Sequence, residues 1–101
     1  MASTTLVTIS YSVAENQRSE FERILQDLVG RINGAQQGVR FSAYQEEDEP
    51  SNYVELYECD STDAYDALED SLDEETSRQI RRIATDFAQA RQSVMTLRKV
   101  Y

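Results

Sequence analysis

The chain has no histidine and no tryptophan, and only one cysteine, one proline and three glycines among 101 residues. Each scarcity removes a class of chemistry. Without histidine there is no His-ligated zinc, no His-ligated haem and no Cys–His nucleophile. With Cys59 as the only cysteine, neither an internal disulfide nor a thiolate metal cluster can form. No Gly-rich loop is present to cradle a phosphate. Basic side chains are also few, ten against nineteen acidic, for a formal net charge of −9. Such a surface repels phosphate backbones and anionic lipid surfaces, which argues against nucleic acid and membranes as partners. No apolar run reaches the length of a membrane span, and the N-terminus lacks the pattern of a signal peptide. The expectation is a cytoplasmic protein with no cofactor and no metal. The acidic run from Glu46 to Glu49 lacks the alternating oxygen ligands and the glycine of a calcium loop, and reads as a solvated turn.

What remains is the material of one domain over residues 1–101, too small for two cores and suited to completing its core by self-association. Thr5 to Val13 alternates as a strand, with Val7, Ile9, Tyr11 and Val13 on one face. A helix follows, starting between Asn16 and Ser19, where Ser19 with Glu22 offers a capping box and Asn16 an equally good cap. Its stripe is Phe21, Ile24, Leu25, Leu28, Val29 and Ile32. Asn33 and Gly34 are expected to end it in a left-handed conformation. Gly38 opens a second strand, Val39 to Gln45, with Val39, Phe41 and Ala43 on one side. A charged hairpin connection with Pro50 leads to a third strand, Tyr53 to Cys59.

Asp60 and Ser61 cap the next helix, whose apolar edge is Tyr65, Leu68 and Leu72. Ser71 and Glu74 form a second capping box, predicting a bend or restart. Beyond it Thr76, Ile80, Ile83, Phe87 and Ala90 continue a buried helical seam. Arg78, Arg81 and Arg82 are read as pairing along the helix with Glu74, Glu75 and Asp86. Ser93 to Tyr101 is the last strand.

The order β-α-β-β-α-β predicts an α+β domain of ferredoxin-like type, an antiparallel sheet with helices on one face. On the third strand Val54 and Leu56 are the aliphatic pair, and they are expected to join Val7, Ile9 and Phe41 beneath the helices. The bare opposite face then carries Ser10, Ser42, Tyr44, Glu55, Tyr57 and Arg98, with Tyr53 on the same side of its strand.

In four features the chain resembles the dimeric α/β-barrel superfamily, in its antibiotic biosynthesis monooxygenase-like branch. These are Phe21 early in the first helix, Gly38 before the second strand, the acidic hairpin with Pro50, and the strand-to-helix segment from Tyr53 to Leu68. The resemblance implies a homodimer packed sheet to sheet, with the bare face lining a shared barrel. Many members carry tryptophan at the end of the third strand and histidine on the following helix. This chain has Cys59 and Leu68 there, so the resemblance carries no catalytic set onto it.

Candidate chemistry rests on the bare face. Glu55 enclosed by a barrel would acquire a raised pKa and serve as general base, with Tyr57 or Tyr44 positioning a substrate. Ser10, Ser42, Tyr44, Tyr53 and Arg98 would line the site, and tyrosines suit a small aromatic or polyketide-like ligand. The function expected is cofactor-independent monooxygenation or isomerisation. The alternative is a non-catalytic homodimeric small-molecule-binding or structural module, in which these residues fill a polar interface and Glu55 pairs with Arg40 or Arg98. Cys59 is read as a small buried residue, its thiol held protonated by Asp60.

Overall fold

A computed structural model describes residues 4–35 and 38–100. The strands are β1 (Thr5–Val13), β2 (Val39–Gln45), β3 (Asn52–Cys59) and β4 (Ala88–Arg98). The helices are α1 (Arg18–Gly34), α2 (Thr62–Ser71) and α3 (Glu74–Arg82). Every strand pair is antiparallel and the sheet order is β2-β3-β1-β4, which is the ferredoxin-like arrangement. No helix among the described residues is long and apolar enough to cross a membrane.

Local chemistry explains most boundaries and corrects several expectations. A 3₁₀ turn over Glu15–Gln17 leads into α1, and no side chain caps the helix. The Ser19–Glu22 box does not form, because Ser19 already lies inside α1; the Glu22 carboxylate accepts a hydrogen bond from the Tyr53 hydroxyl at 2.5 Å. Gly34 stays helical, and the left-handed residue is Gly38, at φ 72°. Asn33 has a different task. Its amide nitrogen donates to the Phe41 carbonyl at 2.9 Å, and its amide oxygen accepts from the Phe41 N–H at 2.8 Å. Phe41 lies on the edge strand β2, so the side chain closes an edge that would otherwise offer an unpaired N–H and C=O to another strand.

Ser61 caps α2 as expected, accepting from the Ala64 N–H at 3.1 Å. The break after α2 is also present, but its cap is Asp73, which accepts from the Thr76 N–H at 2.8 Å. The Ser71 hydroxyl turns back to the Leu68 carbonyl instead. Leu72 between the two helices is extended, at φ −81° and ψ 147°. The seam beyond α3 does not run to Ala90 as helix. A π turn over Ile83–Phe87 widens the last turn and buries Ile83 and Phe87, and β4 begins at Ala88, five residues before the expected start. Tyr101, the expected end of that strand, lies outside the described residues. Arg78 pairs with Glu75, and Arg82 pairs with Asp86 at 3.5 Å and with Glu20 at 2.9 Å.

The core lies between the sheet and the helices. Phe21, Leu25, Leu28 and Ile32 of α1 pack with Val7, Tyr11, Val13, Val39 and Phe41 from the sheet. The register overturns the expectation for β3. Tyr57 stands opposite both Val7 and Phe41, and Cys59 stands opposite Val39. Cross-strand partners share a face. Tyr53, Glu55, Tyr57 and Cys59 therefore face the helices, and Val54 and Leu56 face away. Aromatic volume decides this. The Phe21 ring meets Tyr53 at 4.7 Å between centroids and Tyr11 at 5.9 Å, while Phe41 meets Tyr57 at 4.6 Å. Two aliphatic side chains would leave that layer underfilled.

Candidate functional site

Glu55 sits at the centre of β3 with Ile9 of β1 and Ala43 of β2 beside it in register. Both neighbours are apolar, the helices lie above, and only 6% of Glu55 is exposed. Burial pushes its carboxyl above the usual range. One contact opposes that rise: the Tyr11 hydroxyl donates to Glu55 Oε2. No ion pair to Glu55 is present among the described residues, so the pairing with Arg40 or Arg98 does not form. The phenols nearby are held neutral. Tyr11 is pushed far up by burial and then by the charge of Glu55, and Tyr57 by the same two causes in that order. Burial also raises Tyr65, with smaller contributions from Cys59 and Glu55. The set is one carboxyl of raised proton affinity among hydroxyls that stay protonated.

Beside it lies a cleft of about 260 Å³ between β3, α2 and α3. It exists because the extended Leu72 separates the two helices instead of letting one rod cover the sheet. Tyr57, Tyr65, Leu68, Leu72 and Ile80 supply its apolar wall, and Asp66, Glu69, Ser77 and Arg81 add polar groups. The Tyr57 and Tyr65 rings meet edge to face, with centroids 5.2 Å apart. Glu55 contributes no surface to the cleft. It stands two residues along β3 from Tyr57, on the same face.

The expected site residues thus separate. Glu55, Tyr57 and Tyr53 are not on the bare face but under the helices. Tyr53 is turned toward α1, where burial and then the bond to Glu22 push its phenol up to about 12. It lines a groove of about 420 Å³ beside β2 together with Ser42 and Tyr44. Ser10 lies on the open face, in register with Val54 and Ser93. Arg98 pairs with Thr5 in register, so its strand position belongs to the helix side, where it is exposed at the end of β4. Cys59 is buried, and burial followed by Asp60 raises its thiol. Sequence reasoning passed over Tyr11 and Tyr65. Tyr65 was visible as part of an apolar helix edge, but Tyr11 carried no signal beyond its place in a strand.

Among the described residues no group of His, Cys, Asp or Glu is placed to hold a metal ion. No family model matches the sequence, and no curated protein matches it. Solved structures do share its architecture over nearly the whole chain. A candidate antibiotic biosynthesis monooxygenase from Nitrosomonas europaea superposes with a TM-score of 0.83 at 14% identity, covering 100% of this chain and 94% of that one. A candidate antibiotic biosynthesis monooxygenase from Caulobacter crescentus CB15 gives 0.82 at 16% identity, with coverages of 99% and 92%. A conserved protein from Methanosarcina mazei Go1 gives 0.82 at 15% identity, with coverages of 98% and 95%. The chain has the ferredoxin-like fold of these proteins. Likeness at such identities is one of fold.

Proposed function

We propose that the chain is a cofactor-independent monooxygenase for a small aromatic or polyketide-like substrate held in the cleft between β3, α2 and α3. The observation that carries this reading is a buried carboxyl, Glu55, next in line on β3 to a tyrosine that walls an apolar cleft. A proton affinity raised by burial makes Glu55 a stronger base than an exposed carboxylate. Acting through one bridging water, since it does not line the cleft itself, it would take a proton from an acidic C–H of the substrate, leaving a carbanion. The carbanion reduces dioxygen and joins to it, the peroxide takes back the proton held by Glu55, and loss of water from the hydroperoxide leaves a carbonyl. In balance, a CH₂ group and O₂ give C=O and H₂O, with the substrate as the only reductant. Tyr57, a neutral donor, orients the substrate oxygen. The supporting fold is that of proteins named as monooxygenase candidates.

The test is oxygen uptake with a panel of phenols and 1,3-diketones, run on the native protein, Glu55→Gln and Tyr57→Phe. Uptake abolished by Glu55→Gln with binding retained supports the base. Uptake unchanged by Glu55→Gln overturns it. One observation favours the second reading, a binding module without turnover: Glu55 adds no surface to the cleft. In that case ligands bind and emerge chemically unchanged.

The same reading includes a homodimer through the open face of the sheet. That face carries Leu6, Val54 and Leu56, together with Met95 and Leu97, which are 54% and 42% exposed. Leu6 and Leu97 stand in register, and Thr8 is flanked by Leu56 and Met95, so the apolar groups are contiguous across three strands. The location proposed is the cytoplasm, where a lone buried thiol stays reduced.

A further inference from the structure

We infer that Tyr11 is a positioning residue for Glu55, its hydroxyl holding carboxylate Oε2 so that Oε1 is left as the oxygen that exchanges protons. This rests on the reading of Glu55 as a base, but the geometry behind it is independent of any substrate. Tyr11 lies on β1 and stands opposite Tyr53, so it reaches Glu55 diagonally across the β1–β3 pair. Its ring is 5% exposed and set edge to face against Phe21 of α1, at 88° between planes. Sheet and helix together fix the direction of the hydroxyl. Among the described residues Tyr11 is the only hydrogen-bond donor to Glu55.

The surroundings isolate this contact. The groups facing Glu55 are Ile9 and Tyr11 from β1, Ala43 from β2, Tyr53 and Tyr57 from β3, and Tyr65 from α2; Phe21 of α1 backs Tyr11. The titratable groups among them are four phenols, and none is a cation. Two forces therefore set the carboxyl: burial, which raises its proton affinity, and the Tyr11 bond, which lowers it. Removing the hydroxyl leaves burial unopposed. The same change frees Oε2, so the carboxyl loses its single fixed orientation.

The experiment is a carbon-13 NMR titration of the glutamate carboxyls in the ligand-free protein, with Glu55→Gln identifying the Glu55 signal. Tyr11→Phe keeps the ring and deletes the bond. It should displace the Glu55 midpoint upward by about one to two pH units, the size expected for one hydrogen bond to a charged group. A midpoint unchanged or moved downward overturns the inference. If Tyr11→Phe does not fold, the native protein still decides: the Tyr11 ring carbon bearing oxygen should follow the Glu55 midpoint, and a ring signal insensitive to that titration overturns the inference. The pH profile of oxygen uptake should shift in parallel with the carboxyl. A shifted carboxyl with no oxygen uptake in any protein would instead remove the monooxygenase reading and leave Tyr11 in its place.

Discussion

The two faces of the sheet differ in a way opposite to what polarity alone suggests. The face beneath the helices holds Tyr11, Tyr53, Tyr57 and the carboxyl of Glu55, all buried. The face turned outward holds Val54, Leu56, Met95 and Leu97. A core of tyrosines with a glutamate at its centre is costly, since each polar atom must find a partner. The structure meets that demand with Tyr11 to Glu55 and Tyr53 to Glu22. An aliphatic face left without helices is costly in another way, because it stays in water until another surface covers it. The inner face thus buries its polar groups in hydrogen-bonded pairs, whereas the outer one leaves apolar side chains uncovered.

The strongest way to break this comparison is to remove a side chain that makes the inner face inner. Phe41 is 1% exposed and touches Tyr57. Phe41→Ala should cost about 3–5 kcal/mol, measured by chemical denaturation, because the cavity left under α1 and α2 cannot collapse fully. A loss near zero would mean that Phe41 does not belong to the core.

The next effect lies on the outer face and should spare the fold. Met95→Glu places a charge among Leu6, Leu56 and Leu97. Self-association measured by sedimentation should weaken by roughly tenfold or more, as for a charge buried without a partner at an interface. The thermal midpoint of the dissociated protein should stay close to that of the native monomer. Unchanged association would show that this face is not the contact surface.

Much of this was legible in the chain. The order of elements, the inner residues of β1 and β2, the Ser61 cap and the break after α2 all follow from spacing and end signals. Glu55 was legible as a candidate base, but its face was not. Alternation along β3 shows that Tyr53, Glu55, Tyr57 and Cys59 share a side; it cannot say which side. That depends on the hairpin joining β2 to β3, where Gln45 stands opposite Tyr53. A slip of one residue there would turn every β3 side chain over. Hydropathy favoured Val54 and Leu56 as inner residues, whereas the volume to be filled against Phe21 and Phe41 favoured the tyrosines. The Asn33 clamp and the π turn were equally hidden. Each depends on partners distant in sequence or on backbone geometry that residue types do not encode.

The finest comparison uses two glutamates on one strand. Glu55 points to the helices, and Glu58, three residues on, lies on the open face beside Leu6 and Arg40. For Glu55 the sign follows from its environment. Its folded pKa is raised above the ordinary value of 4.5, mainly by burial. The unfolded chain therefore gives up that proton first, and the native protein loses stability as pH rises from near 4.5 through the folded pKa. Glu55→Gln has no proton to lose, so its stability curve should be flatter over that window, as followed by urea midpoints at several pH values. Glu58→Gln should change stability by no more than about 0.5 kcal/mol, as for an ordinary surface substitution. A slope in Glu55→Gln no flatter than that of the native protein would mean that Glu55 is not held in an apolar environment. The distinction between the two faces of the sheet would then fail at the residue on which it most depends.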